Sequence, residues 1–324
     1  MIWLVWRRLR VPLLVALGLV ALVAATAVLG RFALLAAARD LGFERCFGDE
    51  LIGVCDSREA VAFRNDERDG FLFLLVMAAV LLPGVAGAVA GAALFGAETA
   101  RGTHVFALSQ ALSRARWWGA GLLIAGLPVA AAVALVTPLA AWSVAPFDDI
   151  YVTAPLIWIT FLTSGVVPVA YTVLAFCVAA AAGLLRRSPI GALGLAVGLH
   201  VVALLVTGLV RPAYLPPETA SAALSADQFV PSDTSRVVPD GALDLGFVLV
   251  DAEGRELPSS AAVGNGCSLA NPDCRSGRGI TGVVHHYQPA SRYWPFQAIE
   301  SGLLLALAAG ALGVGMRGLR RRVH

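Results

Sequence analysis

Few residues in this chain have the chemistry to do more than pack, and the most concentrated group is a short polar island. Glu98, Arg101, His104, Arg114 and Arg116 lie within GAETARGTHVFALSQALSRARWW (96–118), between two long apolar runs. Charges interleaved with Val105, Phe106, Leu108, Ala111 and Leu112 fit either a short interfacial helix or a solvated loop whose arginines merely set topology. They do not make a reaction centre. The chain carries no nucleophile–base constellation, no dinucleotide fingerprint and no paired carboxylates in a plausible pocket. It has no Lys at all, its basic residues being Arg, so an ordinary P-loop, which needs a Lys to reach the nucleotide's phosphates, is excluded.

Other reactive side chains stand apart. His200 and Glu300 each interrupt an apolar run, and an ionisable residue at membrane depth is a functional candidate by default. For His200 an interhelical hydrogen bond is the plainer reading, and a place on a transport path or gate the sharper one. Glu300 could gate release, pair with Arg292, or stay wet beside Gln297. His285 and His286 are adjacent, which makes convergence on one ion difficult, and no third ligand is evident; two loop histidines are expected, and no metal site. Gly87 with Gly91, and Gly194 with Gly198, are small-xxx-small pairs that would let helices approach closely, although a chain with 33 glycines produces such pairs by chance.

The elements that must position these residues follow from composition. Of 324 residues, 58% are hydrophobic and 14% charged, with mean hydropathy +0.77. A soluble domain carries about a quarter charged residues, so the lipid bilayer is the expected solvent. A net charge of +2 gives no reason to expect nucleic acid. Six apolar runs are long enough to cross: 11–30, 71–95, 119–142, 155–185 with Pro168 near its middle, 189–210 and 297–316. The fold expected is therefore an all-α polytopic membrane protein with six transmembrane helices. Arg7, Arg8 and Arg10, then Arg101, Arg114 and Arg116, then Arg186 and Arg187, then Arg317, Arg320, Arg321 and Arg322 mark alternate connections, which contain a single acid, Glu98. Loops 31–70, 143–154 and 211–296 hold nearly all the other acids. The excess of basic residues on the cytoplasmic side places both termini inside, with a large extracellular loop between helices five and six. The first run is too long for a secretory h-region and is expected to be retained. The WRRLR stretch before it suits an anionic membrane surface. Abundant Ala, Gly, Leu and Val with Arg in place of Lys suggests a GC-rich bacterial source, such as an actinobacterium, and a plasma-membrane location.

That topology puts Cys46, Cys55, Cys267 and Cys274 on the oxidising side and leaves Cys177 inside the fourth run. Two disulfides are expected, Cys46–Cys55 with Cys267–Cys274 being the nearest pairing, although four cysteines allow three connectivities. In loop 211–296, GFVLVDAEGREL reads as a hairpin turning at 252–254. The chain thus divides into 1–210, with outer loop 31–70 and inner loop 96–118; then 211–296; and then 297–324, the sixth helix and a basic tail.

The island 96–118 then faces the cytoplasm. Its apolar spacing predicts a short interfacial helix, with Thr103 as a cap and Arg114 and Arg116 at its C-terminal end. The residues E98-T-A-R-G102-T103 followed by L108-S-Q-A-L-S-R114 resemble the cytoplasmic loop of type 2 ABC exporter permeases. Six spans, the Arg-rich lead-in IWLVWRRLR, the outer loop between spans five and six, and the run 285–302 resemble that family too. The chain departs from it in lacking a Pro before Arg114. The resemblance implies a non-catalytic permease subunit, an ABC ATPase subunit as partner, and a second permease chain completing a homo- or heterodimer. No cofactor would be bound here, ATP and Mg²⁺ belonging to the partner. Glu98, Arg101, Gly102 and Thr103 would shape and contact the coupling segment, and Val105, Leu108, Leu112 and Arg114 would dock it. A hydrophobic or amphipathic substrate would move by alternating access, exported by ATP hydrolysed elsewhere.

Two rival readings remain open at this point. One is a polytopic sensor or assembly protein whose extracellular loop binds a ligand, without transport. The other is an intramembrane enzyme using His200, Glu300 or the His pair, which requires polar groups from several spans to converge at one depth; the spans look too poor in polar residues for that.

Overall fold

A computed structural model describes residues 2–40, 68–101, 114–145, 154–186, 188–224, 237–257 and 272–321. The helices are α1 (Ile2–Asp40), α2 (Arg68–Arg101), α3 (Arg114–Val144), α4 (Trp158–Thr163), α5 (Val167–Arg186), α6 (Pro189–Val210), α7 (Pro272–Gly277) and α8 (Tyr293–Arg321). The strands are β1 (Glu218–Ala223), β2 (Leu243–Val250), β3 (Glu256–Leu257) and β4 (Gly282–Gln288). Among the described residues, six helical stretches are long and apolar enough to cross a membrane: Leu9–Ala37, Phe73–Leu94, Gly119–Ser143, Val167–Arg186, Pro189–Ala213 and Ala290–Gly318. Each matches one of the six apolar runs.

The chain forms two compact units. The first is a helical bundle of 1–152, 159–207 and 297–324; the second comprises 153–158 and 208–296. In the bundle, α5 is central and nearly every one of its residues is buried. Its sequence, VPVAYTVLAFCVAAAAGLLR, is mostly small, so its neighbours can approach its backbone. The helix that does so is α2. A Cβ added at Gly87 would collide with the Thr172 carbonyl, one at Gly91 with the Phe176 carbonyl, and one at Gly84 with the His200 ring. The Gly87 and Gly91 pair therefore sits at a real helix–helix contact. At Gly194 and Gly198 an added Cβ meets nothing within 4 Å, so that pair makes no close contact among the described residues.

The fourth apolar run is two helices rather than one kinked span. Helix α4 ends at Thr163, Gly165 takes φ 69°, and α5 begins at Val167. Pro168 lies in the first turn of α5, where its missing N–H removes no intrahelical bond, so it starts a helix instead of bending one. The conformation at residue 165 lies in the left-handed region that favours glycine, and the chain supplies one there.

The all-α expectation is corrected by the second unit, which holds a four-stranded antiparallel sheet in the order β1-β4-β2-β3. The hairpin read from GFVLVDAEGREL is present: Leu249 pairs with Leu257 and Val250 with Glu256, with Gly254 at φ 75° in the turn. Strand β4 falls where the sequence suggests two loop histidines and the start of the run 285–302. Its alternation is blurred because β4 is a central strand, buried at Gly282, Val283, His285, Tyr287 and Gln288. Leu249, Ile280 and Val283 form the sheet's small core, with Ala222, Leu224 and Leu257 against it. Gln288 donates to the carbonyls of Pro212 (2.9 Å) and Leu215 (2.8 Å), and Arg292 pairs with Glu218 at 3.0 Å.

Candidate functional site

The polar island is framed by two helices. Helix α2 continues to Arg101, so Glu98 and Arg101 belong to its last turn, and Arg114 is the first residue of α3. Gly102, Thr103, Val105, Leu108 and Leu112 lie outside the described residues, as does the short helix expected between them. Of the cysteines, Cys46, Cys55 and Cys267 also lie outside, and Cys274 is on α7. Among the described residues there is no disulfide to support the expected pairings, and Cys177 is a free thiol buried in α5.

Within the bundle the structure assembles a polar cluster that the sequence reading did not foresee. Tyr171 on α5 places its hydroxyl 2.7 Å from Thr207 Oγ1 on α6 and donates to Glu300 Oε1 on α8 at 3.1 Å. The Thr207 hydroxyl also reaches the carbonyl of Ala203, 2.9 Å away on its own helix. His200 packs edge-on against the Tyr171 ring, with centroids 5.1 Å apart and planes at 89°. Among the described residues neither His200 ring nitrogen has a partner of normal hydrogen-bond geometry, although the ring interacts with the Val80 backbone on α2. Glu300 does not pair with Arg292, which instead engages Glu218, Gln288 and the Pro216 carbonyl in the second unit. Glu300 is not wet either, since it is fully buried.

One turn earlier on α8, Gln297 fills the gap between α4 and α5. Its Oε1 accepts from the backbone N–H groups of Val166 and Val167, both at 2.9 Å. Its Nε2 donates to the carbonyls of Phe161 (3.0 Å) and Ser164 (3.3 Å). A broken helix in lipid leaves donors and acceptors that no water can reach, and a single carboxamide carries both kinds of group.

Polar groups from three spans thus do converge, contrary to the expectation that the spans hold too few. The cluster is nonetheless closely packed. Gln297 and Glu300 are fully buried, and Tyr171, Thr207 and His200 are nearly so. Hydroxyl, carboxyl and amide groups are spent on one another and on backbone, an arrangement that fixes helix positions more readily than it admits a substrate. The sequence signals that could have revealed it are spacings. Gln297 and Glu300 are three apart on one helix face, and His200 and Thr207 are seven apart on another.

His285 and His286 lie on β4 rather than in a loop. His285 is fully buried against Phe247, with Nδ1 3.4 Å from Asp244 Oδ2. No group of three metal-binding side chains occurs among the described residues.

A family described as ABC-2 membrane transporter related matches residues 17–211, a stretch running from α1 to the end of α6 and including the polar island. No curated protein and no solved structure matches the chain.

Proposed function

The chain belongs to the ABC-2 membrane transporter related family, and from that premise we propose that it is the permease subunit of an ABC exporter, moving a hydrophobic or amphipathic substrate by alternating access. The observation that carries this reading is the family match across five apolar spans with a polar, charged segment between the second and third. A transporter subunit without a P-loop must draw its free energy from elsewhere, and an ABC ATPase subunit is the family's source. In this reading the segment after α2 enters a groove of that ATPase. Glu98 and Arg101, on the last turn of a helix that packs along the length of α5, would carry a push from the ATPase into the centre of the bundle. ATP binding would then favour one of two helix packings over the other. A second permease chain would complete the path, in a bacterial plasma membrane with both termini inside.

The test is co-purification of the chain with candidate ATPase subunits, followed by ATPase assays on Glu98→Ala and Gly102→Val. We expect both variants to weaken capture of the partner or to uncouple its turnover from the permease by tenfold or more, a change of about 1.4 kcal/mol. Partner binding and turnover identical to the parent in both variants would remove the coupling role from this segment.

A further inference from the structure

The seat of Gln297 in the break between α4 and α5 points to a device that neither the family match nor the coupling reading contains. Four backbone groups at the break, two N–H and two carbonyl, bond to one side chain from a different span. Because a single carboxamide makes all four bonds, they are lost together when it withdraws. In lipid, irregular backbone is tolerated only where protein buries it or where it lines a water-filled cavity, so a half-open state has nothing to stabilise it. Gly165, with φ 69°, supplies the backbone freedom between the two helices. One turn further along α8, Glu300 takes the Tyr171 hydroxyl, so the same helix face grips α5 at a second point.

We propose that Gln297 is a latch on a hinge at 164–166: seated, it holds α4 and α5 as one interrupted span, and withdrawn, it frees α5 to pivot against α4 as a two-state element. This holds whether or not the ATPase reading does, because it rests on contacts within the bundle alone.

Hydrogen exchange on the full-length protein in lipid nanodiscs, read at single amides, tests it. In the parent protein the Val166 and Val167 amides should be protected and should exchange at matching rates. Gln297→Ala should accelerate both by about tenfold or more, the equivalent of about 1.4 kcal/mol, while amides 174–182 in α5 keep their parent rates. Gln297→Glu keeps an acceptor for the two amides and removes the donor to Phe161 and Ser164, so its rates at 166–167 should fall between the two. Unchanged rates at 166–167 in Gln297→Ala would overturn the latch. So would acceleration by one common factor throughout α5. Should Gln297→Ala not fold, a folded Gln297→Glu with parent rates at 166–167, or unequal rates for the two amides in the parent, would overturn it equally.

Discussion

Gly87 and Gly91 carry more of the bundle's geometry than any polar residue does. The space a side chain would need is occupied at both positions by backbone carbonyls of α5, which cannot swing aside. Gly87→Val should therefore destabilise the protein by about 2 kcal/mol or more, whereas Gly194→Val, which meets nothing within 4 Å, should change stability by less than about 0.5 kcal/mol. Thermal unfolding in one detergent, monitored by circular dichroism, would compare them. Tyr171→Phe keeps the ring against His200 but removes the hydroxyl shared by Thr207 and Glu300. A loss of about 1–3 kcal/mol is expected, because a buried carboxyl loses one of its donors. If this variant is as stable as the parent by the same measurement, the cluster does not hold α5, α6 and α8 together.

At the scale of elements, the β2–β3 turn is organised by one carboxylate. Asp251 Oδ1 accepts from the backbone N–H groups of Arg255 (2.8 Å) and Glu253 (3.1 Å), and Oδ2 accepts from Arg255 Nε at 2.8 Å. Hydrogen bonding, first from the Arg255 backbone and then from its side chain and charge, holds the Asp251 carboxyl below its ordinary value. A carboxyl depressed in the folded state stabilises the turn above the unfolded value of about 3.9 and loses that contribution as pH falls through the lower folded value. Amide protection at 251–257, relative to intrinsic exchange at the same pH, should fall on acidification below about pH 4, and Asp251→Asn should remove this pH response while leaving β1 and β4 protected. An equal response in the variant would assign the acid sensitivity to another group. The break between α4 and α5 belongs to the same scale: the local sequence sets where the helix stops, and a residue 130 positions away in sequence satisfies the ends it leaves.

At the scale of the whole molecule, the basic residues between α2 and α3 and after α8 should face the cytoplasm, and 211–296 the outside. In a background lacking the native cysteines, Thr103→Cys should resist a membrane-impermeant thiol reagent applied to intact cells and react after lysis, while Ser259→Cys should react in both. Labelling of residue 103 from outside would invert the topology and separate the polar island from any cytoplasmic ATPase. The family match ends at Arg211, so the sheet and the sixth apolar span lie beyond it.

Composition and run length alone determined that this protein has six helices able to cross a membrane. The cost of apolar surface in water and of unbonded backbone in lipid leaves few alternatives for runs of that length. The same local rules made the turn at Gly254 legible. The two pairings made by β4, the division of the fourth run and the polar cluster were not legible in this way. β1 and β4 pair across 59 to 69 residues, and Gln297 and Glu300 meet partners about 130 residues away. No local pattern encodes such encounters. Only the tertiary packing decided that a glutamine at one end of the last helix would complete the backbone of the fourth.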